Sequence, residues 1–203
     1  MSMTSPKNPL QQLSMSKIRL ADLVIVTSNE NKLAEINEIL GTNHKVSKID
    51  IPEIQSLDLD EIIACKAKVA YAKIKKPVLV EDISLEIKAL NGLPGTFVKF
   101  FLERLRTEGT VKLIGAAKTD TIVTVAVAIY DGRHLKIFKA SVSGTLVKED
   151  RGTGGFGFDK VFIPKGYSKT YAQMPPSLKN KISHRAKALQ KVKNYFTSLA
   201  PQS

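Results

Sequence analysis

The sequence predicts one α/β unit: a mixed β-sheet with helices packed against it. Three observations carry that expectation. A short apolar run passes through a polar turn into a helical repeat over residues 23–40. A second apolar run, 77–80, follows a second helical stretch. A long β-branched segment with Asp131-Gly132 at its turn then fills the middle of the chain. Strand–helix alternation early and a hairpin later imply parallel and antiparallel pairing in one sheet.

The elements follow in order. Residues 23–27 (LVIVT) read as a strand, and Ser28-Asn29-Glu30-Asn31 as turn chemistry. Leu33, Ile36 and Leu40 then recur at helical spacing, which predicts a helix over 32–40. A second helix is predicted over 58–72, with Asp58 and Glu61 spaced as a capping box. Residues 77–80 read as a buried strand that ends at the acid pair Glu81-Asp82. Residues 120–130 form one arm of the hairpin and 133–147 the other. A Gly-rich loop, 152–157, precedes a short strand over 160–163. After Pro175-Pro176 comes a final helix, capped by Ser183, with an apolar stripe of Ile182, Ala186, Leu189, Val192, Phe196 and Leu199.

Composition bounds the function. The 203 residues suffice for one domain with a real core, expected over 18–203, and residues 1–17 read as a disordered tail. That stretch lacks the apolar core of a signal peptide, and no apolar run reaches membrane-spanning length. One cysteine, Cys65, excludes an internal disulfide framework and fits a reducing, cytoplasmic setting. One Cys and three scattered His supply no zinc constellation. A formal net charge of +12 favours anionic partners, although solubility alone would also account for it.

Four stretches carry chemistry. In Thr27-Ser28-Asn29-Glu30-Asn31-Lys32, a polar turn opens a helix, so free N–H groups, the helix dipole and an ammonium meet at one anion site. The plainer reading is an ordinary turn with a solvated lysine. Glu81 and Asp82, with Glu53 as a third acid, suit a hard divalent cation, which takes oxygen ligands. A salt bridge to a lysine is the competing account. In GGFGFD, Phe156 or Phe158 could stack on a base, with Gly157 and Asp159 beside them; two core phenylalanines in a turn is the alternative. His184 and Arg185 fall in the first turn of the final helix, where the dipole disfavours cations. Something electronegative is therefore expected to face them, unless they form a solvated basic face.

Taken together, TSNENKLAEI, PEIQ with DEIIACKA, VLVEDISLEIKALNGLPGTFVKFFLE, GGFGFDKVFIP and KGYSKTYAQMPPSLKNKISHRAKAL resemble the inosine triphosphate pyrophosphatase family in order and spacing. The resemblance implies an elongated α/β domain, a homodimer, and a nucleotide in a central cleft. It implies hydrolysis of the noncanonical purine nucleoside triphosphates ITP, dITP and XTP to monophosphate and pyrophosphate, with Mg²⁺ or Mn²⁺. Residue by residue, Thr27 to Lys32 match the phosphate loop, and Lys66, Lys99 and Lys179 match lysines that contact the nucleotide. Glu53 and Asp82 match metal-associated acids, with Glu81 beside them. Phe156, Gly157, Phe158 and Asp159 match the base loop, and His184 and Arg185 the SHR element that reads the base. Ser28 stands where Gly is frequent, and Gln173 where Glu is usual. Ile83 and Ser84 replace a hydroxyl residue followed by Gly.

The implied mechanism is metal-assisted attack of water on the α-phosphorus, with Asp82 placing the water and lysines clamping phosphate. Membrane and specific nucleic-acid partners are not expected. Two rival readings are a Maf-type pyrophosphatase of other specificity and a non-catalytic nucleotide- or nucleic-acid-binding protein.

Overall fold

Apolar, β-branched runs buried on both faces make the centre of this protein a sheet, and helices close those faces. The computed structural model describes residues 18–199 apart from 46, 48, 116 and 117; the expected tail over 1–17 lies outside the described residues. The strands are β1 (Val24–Val26), β2 (Val78–Ile87), β3 (Pro94–Gly95), β4 (Lys118–Tyr130), β5 (Leu135–Val147) and β6 (Phe162–Pro164). The helices are α1 (Glu30–Leu40), α2 (Leu59–Ile74), α3 (Val98–Ile114), α4 (Pro176–Ile182) and α5 (His184–Leu199). The sheet order is β1-β2-β4-β5-β6, with β3 added to β2. Among the named strands only the β1–β2 ladder is parallel, so the sheet is mixed as expected.

Strand alternation sorts the core. Leu79, Val125, Val127 and Ile129 face one way and pack under α1 and α5 with Leu33, Ile36, Leu189 and Val192. Val78, Val80, Ala126 and Ala128 face the other way, against Ile63, Ala67 and Ala70 of α2. Farther along the first face, Leu85, Val123 and Leu146 meet α3, Phe158 and Phe162. Ile83 packs against both clusters of that face and so sits between two lobes.

Several boundaries differ from expectation. β2 runs ten residues, through and beyond Glu81-Asp82, so the acids lie inside a strand and not at its end. Antiparallel pairing with β4 continues across both of them, Glu81 opposite Val127 and Asp82 opposite Ala126. The α1 helix begins at Glu30, because the Asn29 side chain caps it by accepting from the Lys32 N–H at 3.1 Å. Asp58 caps α2, but the reciprocal half of the capping box is missing: Glu61 accepts instead from Ser56 Oγ at 2.6 Å. The hairpin turn takes four residues, with Asp131 Oδ1 accepting from the N–H groups of Arg133 and His134. The short strand expected over 160–163 is β6, preceded by a 3-10 turn at Gly157–Lys160. Two helices, α3 and α4, were not legible as elements. No helix among the described residues is long and apolar enough to cross a membrane.

Candidate active site

Between the two lobes lies a cleft of about 1020 Å³. The α1 entrance supplies one wall. Thr27 Oγ1 accepts from the Asn29 N–H at 3.1 Å, which folds the turn so that Thr27, Ser28, Asn29 and Lys32 line the cleft. Glu30 and Asn31 lie on the same helical turn but are not among the lining residues.

Adjacent strand residues point to opposite faces, and this separates the acid pair. Glu81 turns toward α5, where Arg185 donates from Nε at 2.6 Å to one oxygen and from Nη2 at 2.7 Å to the other. Lys32 Nζ stands 3.4 Å from the same carboxylate. Burial alone would push the Glu81 carboxyl up, but the charges of Arg185 and Lys32 and the two hydrogen bonds hold it well below the usual range. The cost of burying Glu81 is thus met inside the protein, without a metal ion.

Asp82 turns the other way, toward α2. Its Oδ2 lies 3.0 Å from Lys66 Nζ, which also reaches Glu53 Oε1 at 2.6 Å and the Glu81 carbonyl oxygen at 3.2 Å. Burial lowers the Lys66 pKa, but Asp82 and Glu53 outweigh it and leave it raised. Glu53 comes from an irregular segment tied at both ends: Lys73 donates to the Asp50 carbonyl at 2.5 Å, and Thr96 Oγ1 to the Ser56 carbonyl at 2.5 Å. Ser84 lies on the Asp82 face, but its hydroxyl is directed at Glu86, 3.2 Å away.

The far wall is the Gly-rich loop. Gly155 has φ +69°, and a Cβ there would strike the Asp159 carboxylate, so the position requires glycine. Asp159 is buried; it accepts from the Phe156 N–H at 2.8 Å and is paired with Lys179. Phe156 is half-buried, with Lys179 Nζ 4.7 Å and the Arg185 guanidinium 5.5 Å from its ring centre. Phe158 is a core residue, 6.0 Å centre to centre from Phe162 and 5.9 Å from the His184 ring. Of the two aromatics, Phe156 is the one free to meet a planar ligand.

His184 and Arg185 are both 2% exposed, which excludes a solvated basic face. Ser183 Oγ accepts from the Ala186 N–H at 3.1 Å and caps α5 as expected. The electronegative groups facing Arg185 are Glu81 and Glu35. Burial pushes the His184 pKa well below its ordinary value, and the neighbouring Arg185, Lys179 and Lys32 push the same way against Glu81.

Apart from Glu30 and Asn31, every candidate metal-, phosphate- or base-binding residue from the sequence lines this cleft, the exposed Lys99 of α3 included. Glu35 was missed. Its carboxylate joins Lys179 at 2.7 Å to Arg185, tying α1 to α4 and α5. The signal was its place one helical turn after Lys32, on the flank of the apolar stripe.

Glu53 and Asp82 suit a divalent cation. Both reach one point with oxygen donors, and Mg²⁺ takes one or two carboxylates with substrate phosphates rather than a full protein cage. No group of three or more acidic, His or Cys side chains forms such a cage among the described residues.

The Ham1 family profile matches residues 23–195. An inosine triphosphate pyrophosphatase from Yarrowia lipolytica is 40% identical over 187 residues, which is 89% of this chain and 98% of that protein. A HAM1 protein from Coxiella burnetii superimposes with a TM-score of 0.76 at 26% identity, over 88% of this chain and 100% of that one. The Staphylococcus aureus Ham1 protein shares the fold, with a TM-score of 0.63 at 24% identity, over 87% of this chain and 99% of that one. Profile, sequence and fold agree over nearly all the described residues: this chain belongs to the Ham1 family.

Proposed function

We propose that this chain hydrolyses the noncanonical purine nucleoside triphosphates ITP, dITP and XTP to the monophosphate and pyrophosphate, in the cytoplasm and as a homodimer. The observation that carries the proposal is one cleft holding three unlike devices. These are a helix entrance with Lys32, two carboxylates meeting at Lys66, and Phe156 beside Arg185. A triphosphate, a divalent cation and a base need those three in that order. The 40% identical relative bears the name inosine triphosphate pyrophosphatase, which gives the same substrate class.

Glu53 and Asp82 would hold Mg²⁺ or Mn²⁺, which lowers the pKa of bound water and stabilises charge on the departing pyrophosphate. Around them, the N–H groups at the start of α1 and Lys32 bind phosphate oxygens. Asp82 orients the attacking water and accepts its proton. The bond broken joins the α-phosphorus to the bridging oxygen, and the electron pair leaves with pyrophosphate. Lys99 stands at the mouth, where the β- and γ-phosphates would project.

Base choice falls to the α5 entrance. Arg185 has five N–H donors and commits three, to Glu81 and Glu35. The remaining two can meet a 6-carbonyl, as in hypoxanthine and xanthine, but not the 6-amino group of adenine. Opposing donors in a dry pocket costs on the order of 1–3 kcal/mol. The test measures pyrophosphate released from a panel of triphosphates with Mg²⁺. The expected result is ITP and XTP ahead of ATP by about tenfold or more in kcat/KM. Equal values for ITP and ATP would overturn the base assignment.

A further inference from the structure

We infer that the Lys66 ammonium is the resident counterion of the metal-binding acids, occupying the point where Glu53 and Asp82 converge and competing there with the incoming divalent cation. The inference rests on the metal-dependent reading above and concerns the free enzyme.

The geometry is that of a filled cation site. Lys66 Nζ has three oxygen neighbours: Glu53 Oε1 at 2.6 Å, Asp82 Oδ2 at 3.0 Å and the Glu81 carbonyl oxygen at 3.2 Å. An ammonium has three N–H donors, so these three acceptors satisfy it completely. Two carboxylates and a backbone carbonyl are also a hard-cation donor set. The Lys66 side chain is 13% exposed and that of Asp82 19%, so water alone cannot neutralise either if the other leaves.

Two cations cannot share this point. Mg²⁺ binds oxygen at about 2.0–2.1 Å, closer than an ammonium does, so entry requires Glu53 to draw in and Lys66 to withdraw. Glu53 can move: it lies on an irregular segment and its side chain is 41% exposed. The backbone of Asp82 is held, because β2 is paired with β4 before and after it. Lys66 then needs another anion. The substrate phosphates bring such anions into the same cleft. Metal entry and phosphate capture by Lys66 are thereby coupled: each is favoured by the other. The sequence carries the design in the one-turn register of α2, where Lys66 follows Ile63 and precedes Ala67, both packed against the sheet.

The test measures Mn²⁺ binding by titration calorimetry on nucleotide-free protein. Lys66→Met should bind Mn²⁺ about tenfold or more tightly than wild type, since hydrogen bonds between charged groups no longer have to be broken. Lys32→Met removes the same charge from the same cleft but not from the convergence point, and should tighten binding by less than threefold. Lys66→Gln serves the same purpose if the Met variant does not fold. With chelator present, Lys66→Met should also melt lower than wild type, and Mn²⁺ should recover more of the loss. Binding by Lys66→Met no tighter than that of Lys32→Met, or undetectable in both, would overturn the exchange. Pyrophosphate release from ITP by the wild type is assayed in parallel. If that activity is present while Lys66→Met leaves metal affinity unchanged, the exchange alone fails; if it is absent, the enzymatic reading fails first.

Discussion

At the scale of residues, Glu81 and Asp82 adjoin in sequence but face opposite sides of the sheet. Glu81 is bound to buried Arg185, whereas Asp82 pairs with Lys66, which keeps Glu53 as a second partner. Their substitutions should therefore separate stability from turnover. Glu81→Gln leaves Arg185 buried with a carboxylate lost, which should cost about 3–5 kcal/mol in urea denaturation. Asp82→Asn should abolish pyrophosphate release while costing much less stability. An Asp82→Asn protein with wild-type turnover would remove Asp82 from the reaction centre. The sequence displayed the pair and the need to neutralise it. It did not display which acid met which cation, because that follows from a strand running seven residues farther than its apolar stretch. His184 has its own signature. Its pKa is depressed in the folded state, so the unfolded chain binds the proton more tightly. Its contribution to stability is full above the ordinary value of 6.5 and is lost as pH falls below it, by up to about 1.4 kcal/mol per pH unit. His184→Gln should flatten the fall in melting temperature between pH 7 and 5, a window above the carboxylate range. An unchanged slope would place the titrating group elsewhere.

Among the elements, legibility followed periodicity. α1 and α5 present apolar residues at helical spacing on one face, and both were found from that pattern. α3 was not, and its structure shows why. Arg106 interrupts it at φ 57° and ψ −176°, so two short helical pieces meet at a kink and no single stripe runs through. Phe100 and Leu113 are about half exposed on it, which scrambles the apolar signal further. α4 is seven residues long, too short for periodicity to register. The α5 entrance is where an element serves the site directly. Ser183 is fully buried and its hydroxyl accepts from the Ala186 N–H, fixing the turn that bears His184 and Arg185. Ser183→Ala should cost about 1 kcal/mol in denaturant melts. It should also lower kcat/KM for ITP more than for ATP, because a loosened first turn misplaces the base-reading donors. Equal losses on both nucleotides would make Ser183 a stability residue only.

For the molecule as a whole, the formal net charge of +12 suggests an inside as cationic as the composition, but the cleft is otherwise. Its lining carries five cationic side chains, Lys32, Lys66, Lys99, Lys179 and Arg185, against six acids, Asp50, Glu53, Glu81, Asp82, Glu103 and Asp159. The positive excess therefore lies outside the cleft, where it steers anions from a distance and is screened beyond about 8–10 Å by physiological salt. Within the cleft most cations are already committed: Lys179 to Asp159 and Glu35, Arg185 to Glu81 and Glu35, Lys66 to Glu53 and Asp82. A triphosphate brings several negative charges to a site that is balanced before it arrives. On the proposed metal-dependent reading, an added divalent cation converts the cleft from balanced to attractive. A non-hydrolysable ITP analogue should therefore bind at least about tenfold more weakly in chelator than in Mg²⁺, a difference of about 1.4 kcal/mol. Raising monovalent salt at constant Mg²⁺ should slow association more than it speeds dissociation, since the surface field acts on encounter. Both are readable by stopped-flow fluorescence with a labelled analogue. Equal affinity with and without Mg²⁺ would mean that the lysines alone hold the phosphates, and the proposed roles of Glu53 and Asp82 would fall with that result.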